Sequence, residues 1–204
     1  MTTIETSTTE TSITETLWVR PALTTDRVVV AWVGAHQVVR RCVIAATVMA
    51  GALGSALPVA DAVRWSVAVV GAVLALAALV DVHEHKLPNR LVGTAMVVAL
   101  VGVLSTTTAA LLISSVSGMV LAGGLMLLVR LTRGIGMGDV KMAAVVGAST
   151  GATAVVAAPL AIAIAALVAV VCGVLTHRQR LPLGPALWAG WAISLAAVAA
   201  GWLS

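Results

Sequence analysis

From Leu91 to Val129 the chain runs 39 residues without an Asp, Glu, Lys, Arg or His, and from Met142 to Thr176 it does so for another 35. No other feature limits the fold so tightly. A helix needs roughly 20 apolar residues to cross a bilayer, so each stretch has room for two short crossings. Cys42–Ala60 adds a third uncharged stretch of 19 residues. Charged residues make up 10% of the chain, against about 25% in a soluble domain. The chain is therefore read as an integral membrane protein, an all-α bundle of transmembrane helices.

Seven spans fit the pattern, at 42–60, 65–81, 91–104, 108–129, 139–149, 152–175 and 185–203. Polar or glycine-bearing breaks separate them. The third and fifth are short, and six crossings remain an alternative count. Residues 1–26 open with a tract of Thr, Ser and Glu that offers no apolar face, which predicts a disordered tail. Residues 27–41 mix Val with Arg, His and Gln and are too short to cross, so they read as a cytoplasmic or interfacial lead-in. The domain that matters is then 42–204.

The basic residues orient the bundle. With the N-terminal side in the cytoplasm, eleven of the twelve Lys and Arg residues fall inside and only Arg64 falls outside. Cytoplasmic loops carry such an excess. A pI near 10 could point to nucleic acid, but these charges sit singly or in pairs at the ends of apolar runs, so nucleic-acid binding is excluded. Cys42 and Cys172 stand alone with no CxxC pair, so no zinc-site spacing exists. His83, Glu84 and His85 are consecutive and cannot share a helical face. Neither a metal nor another cofactor is expected.

Three acids lie near the membrane body: Asp81, Glu84 and Asp139. Asp81 ends the second span and Asp139 begins the fifth, both at the cytoplasmic boundary. An acid in the first turn of a helix is favoured by the dipole, so Asp139 has an ordinary explanation. Asp81 does not, because a carboxylate at a helix C-terminus opposes the dipole. Two carboxylates brought close cannot both ionise easily and can share a proton. One then takes a proton from water while its partner donates to the scissile group. This is aspartic-protease chemistry. Gly134, Gly136 and Gly138 precede Asp139 and leave room for backbone or substrate to approach. A proton relay in a transporter would use the same two acids, although the internal repeats common in transporters are not visible.

The motifs also carry a resemblance. "DVHEHKLPNRLV" at 81–92 resembles the first aspartate motif of the type IV prepilin peptidases, an Asp followed by Leu-Pro-Asn. "GMGDVKMAAVVG" at 136–147 resembles their Gly-x-Gly-Asp-x-Lys motif, and "LPLGPALWAG" at 181–190 resembles their late Pro-Phe-Gly-Pro segment, with Leu183 in the Phe position. The three occur in the family's order. The resemblance implies a membrane aspartic endopeptidase of the peptidase A24 family, with Asp81 and Asp139 catalytic. It implies prepilin-like proteins as substrates, cleaved at the cytoplasmic face of the inner membrane. The chain resembles the short form, without the CxxC-bearing N-methyltransferase region. Presenilin-like proteases share the Gly-x-Gly-Asp element but lack Leu-Pro-Asn.

Supporting roles follow for Gly136, Gly138, Lys141, Pro88 and Asn89. Lys141, two residues after Asp139, either tunes the pair, meets an acidic group of the substrate, or anchors the chain at the membrane surface. Pro88 and Asn89 set a turn into the third span. Pro182, Gly184 and Pro185 shape the start of the last span. Trp188, Trp191 and Trp202 read as core or interface anchors.

Overall fold

The computed structural model describes residues 25–84, 89–132, 135–176 and 182–203. Among them every regular element is a helix: α1 (Thr25–Ala56), α2 (Asp61–Glu84), α3 (Asn89–Leu104), α4 (Ala109–Leu131), α5 (Met137–Gly151), α6 (Ala157–Thr176) and α7 (Gly184–Ala199). The seven helices take the places of the seven expected spans. α1 is longer than its span, since the helix continues without a break through 27–41 and begins at Thr25. α2 runs past the apolar pattern to Glu84, which puts His83 and Glu84 in its last turn. The tail before Thr25, along with His85, Pro88 and Gly134, lies outside the described residues.

The chain separates into two compact units, Met1–Gln37 and Val38–Ser204. The first contributes the opening turns of α1. The second holds the rest of α1 and all six later helices.

Three helices are long and apolar enough to cross a bilayer: α2 through Val82, α4 and α6. Only 28% of the apolar window of α4 and 22% of that of α6 are buried in the protein. Their outer faces carry Leu128, Val170 and Leu175, each more than 60% exposed. In water such a surface would be an aggregation site; in lipid it is the solvated face. The bundle is that of a helical membrane protein.

α5 is built differently. It has 15 residues, ten of them buried from Val140 to Gly151, and rises about 22 Å at 1.5 Å per residue. It packs against α2, α3, α4, α6 and α7, so it is the centre of the bundle. Its tightest partner is α4. Gly118 and Ala122 of α4 face Gly147 and Gly151 of α5, and a Cβ on Gly147 would run into the Gly118 backbone and lie 2.6 Å from the Ala122 Cβ. Lipid tails give no hydrophobic drive for helix pairing, so close backbone approach through small residues supplies it. Ser115 adds a buried bond across this contact, its Oγ donating to the Ala148 carbonyl at 2.9 Å.

The other walls use polar pegs in an apolar core. Trp191 of α7 is fully buried, and its indole N–H donates to Ser149 Oγ of α5 at 3.0 Å. Trp188 donates to the Gly71 carbonyl of α2 at 3.0 Å. Both tryptophans thus fix α7 against its neighbours, while Trp202 is 80% exposed. At the opposite end from Asp81, α2 opens with Asp61, which pairs with Arg64 at 3.1 Å. Arg64 Nε also donates to the Leu57 carbonyl at 2.8 Å, closing the turn between α1 and α2.

Candidate active site

Asp81 lies in the last turn of α2 and is 6% exposed. A buried carboxylate at this end of a helix needs compensation. It comes from α7. The backbone N–H of Gly184 donates to Asp81 Oδ2 at 2.9 Å, across 103 residues of chain. Gly184 is the first residue of α7, with Pro185 next to it in the first turn. N–H groups at a helix start have no acceptor within the helix and carry its positive partial charge. The acid that opposes the dipole of its own helix therefore meets the favourable end of another.

Asp139 lies in the first turn of α5 and is half-buried. Its carboxylate reaches back to the N–H of Gly136, the N-cap, with Oδ2 accepting at 3.2 Å. This is the return half of a capping box; Gly136 has no side chain to supply the other half. A Cβ on Gly136 would stand 3.2 Å from the same oxygen, so the glycine keeps the cap uncrowded.

The fold brings the two carboxylates within electrostatic reach. The charge of Asp81 acts on Asp139 across the contact between α2 and α5. Such a pair can relay protons between a water and a peptide bond.

Two further predicted residues also meet. Lys141, one turn of helix beyond the cap, extends its ammonium to Asn89 Oδ1 at 3.1 Å. Asn89 starts α3. The contact joins the Asn of the Leu-Pro-Asn motif to the Lys of the Gly-x-Gly-Asp-x-Lys motif on an exposed surface. Gly138 lies half-buried in the first turn of α5, immediately before Asp139. Pro88, the remaining predicted residue, falls outside the described residues.

Beside Asp81 an apolar groove of about 400 Å³ opens between α1, α2 and α7, lined by Cys42, Met49, Ala78, Val82, Pro185 and Trp188 among others. Among the described residues, no three His, Cys, Asp or Glu side chains converge as metal ligands.

Gly184 is the residue the sequence reading assigned to shape rather than to the site. The available signal was the Leu-Pro-Leu-Gly-Pro segment, whose place in the order of motifs marks it as part of the same constellation. What could not be seen was which atom it aims at Asp81.

The sequence profile of the type IV leader peptidase family matches residues 68–174, just over half of the chain. The match includes both aspartates and the Asn89–Lys141 pair, and it stops before Gly184. Comparison with curated proteins and with solved structures finds no significant match. The chain belongs to the type IV leader peptidase family, and is a leader-peptidase-like protease with a membrane-embedded helical body.

Proposed function

We propose that this family member is an aspartic endopeptidase that removes the leader from prepilin-like proteins at the cytoplasmic face of the inner membrane. The observation that carries the proposal is the packing of α2 against α5, which brings Asp81 and Asp139, 58 residues apart in the chain, within reach of each other's charge. No cofactor is needed for the chemistry. Water attacks the carbonyl carbon of the scissile bond. One carboxylate takes the proton the water loses, and its partner gives a proton to the carbonyl oxygen. As the intermediate collapses the C–N bond breaks and the leaving nitrogen takes a proton from the pair. The products are a new carboxyl end and a free amine.

Two features support the substrate class. The eleven-to-one division of basic residues is the one expected when the Asp81 and Asp139 ends face the cytoplasm. The apolar groove next to Asp81 offers a bed for an apolar segment entering from the bilayer. The relay reading of the same acids, as in a proton-coupled transporter, gains nothing from a peptidase-family match.

The experiment is co-expression with a reporter carrying a short basic leader joined to an apolar helix. The wild-type chain should shorten the reporter by its leader. Asp81→Asn should not, while remaining folded in the membrane. Asp61→Asn, at the far end of α2, should process normally. Normal processing by the Asp81 variant would refute the assignment. A reporter inserted in the Ser105–Thr108 turn should behave as extracytoplasmic; a cytoplasmic result would reverse the orientation.

A further inference from the structure

Among the described residues, Asp81 has one oxygen committed, and the commitment is to backbone. Its Oδ2 accepts from the Gly184 N–H at 2.9 Å in a buried contact. The same glycine also walls the carboxylate. A Cβ on Gly184 would stand 3.0 Å from Oδ2, 3.1 Å from the Asp81 Cβ and 3.1 Å from the Ala78 Cα. Real Cβ atoms rarely sit that close to three neighbours at once, two of which are not flexible chain ends. Trp188 and Trp191 bond α7 to α2 and α5 one and two turns further on, which resists its withdrawal.

We propose that Gly184 is a positioning residue for the peptidase reaction: its N–H and its missing side chain together set the Asp81 carboxylate, occupying one oxygen and leaving the other for chemistry. The inference rests on the peptidase reading above. A side chain carboxyl turns about its last bond through a broad range, so a buried acid without a fixed donor would spread over orientations of which few are productive. Misplacement on the scale of 1 Å costs on the order of 100-fold in rate. Gly184 acts on the reaction through Asp81.

The test separates contact from catalysis. In the full-length protein in lipid nanodiscs, the Gly184 amide proton is followed by NMR with ¹⁵N-glycine labelling. It should resonate downfield, and Asp81→Asn should move it. An unchanged resonance would overturn the proposal at its base. With the leader–helix reporter as substrate, Gly184→Ala should lower kcat by at least tenfold with KM within about twofold, counted per folded enzyme. Gly190→Ala is the comparator on the same helix; a Cβ there would press on the Ala161 carbonyl, so it should reduce the amount of folded protein and leave kcat per folded enzyme alone. Where Gly184→Ala does not fold, cell-free synthesis with glycolate at position 184 removes the N–H without adding an atom, and the same loss of kcat is expected. A wild-type kcat in either Gly184 form would overturn the proposal. An active Asp81→Asn enzyme with the expected amide resonance would instead sink the peptidase reading and leave the contact standing.

Discussion

Lys141 and Asn89 are 52 residues apart, and the lysine ammonium donates to the asparagine carbonyl oxygen at 3.1 Å. The bond closes the gap between the starts of α3 and α5. It links the helix that carries Asp139 to the first residue of α3. Lys141 therefore has a structural task as well as its charge. Both side chains are exposed, which limits the worth of the bond. A double-mutant cycle on Lys141→Met and Asn89→Ala should give a coupling of about 0.5–1.5 kcal/mol in unfolding experiments. Additive losses would mean that each residue acts alone.

The aspartates should behave as one unit. Asp81→Asn and Asp139→Asn should each lower the cleavage rate on the order of 10⁴-fold, and the double variant should lose little more, because removing either member of a coupled pair removes the function of both. Steady-state and single-turnover cleavage of the leader–helix reporter measure this. Multiplicative losses would show two independent contributions and refute proton sharing.

The glycines of α4 and α5 make opposite predictions. Gly147 faces the Gly118 backbone and the Ala122 methyl with no spare room, so Gly147→Ala should destabilise the bundle by about 1–3 kcal/mol through overpacking. Gly124 of α4 has nothing within 4 Å of an added Cβ. Gly124→Ala should be neutral or stabilising by up to about 1 kcal/mol, the intrinsic difference between the two residues in a helix. Unfolding in mixed micelles with increasing denaturing detergent compares them directly. Equal effects would contradict the observed α4–α5 approach.

Trp191 should show the cost of an unpartnered polar atom. Ser149→Ala removes the acceptor of its indole N–H in a fully buried position, and should cost about 1–3 kcal/mol. Trp191→Phe removes the donor and leaves a serine that already donates to the Val146 carbonyl, so the double variant should be less damaged than the two single losses added together. Strict additivity would mean that the bond carries no weight.

Much of this molecule is determined locally. In lipid only helices and closed barrels satisfy the backbone, and a continuous apolar stretch such as Leu91–Val129 lacks the alternation of a barrel strand; the Ser105–Thr108 break inside that stretch splits it where α3 and α4 part. Helix formation is a matter of each segment's own backbone bonds, and an apolar segment in a bilayer needs no partner to choose it. The two aspartates were legible for a similar reason: each is an exception to its local surroundings, and Asp81 is the acid its own helix does not explain.

Tertiary structure decided what the exceptions do. No local pattern says that α5, with 15 residues, lies at the centre, because its position follows from Gly147 and Gly151 fitting α4 and from Ser149 receiving Trp191. Nor does any local pattern give the donor that holds Asp81. That donor is a backbone N–H of Gly184, 103 residues away, and a main-chain group is identical in every residue that has one. Its identity exists only once α7 is packed, when the pinning of Trp188 and Trp191 leaves the first turn of that helix facing the last turn of α2. The sequence determined which residues are chemically odd; packing over long chain distances determined which atoms they meet.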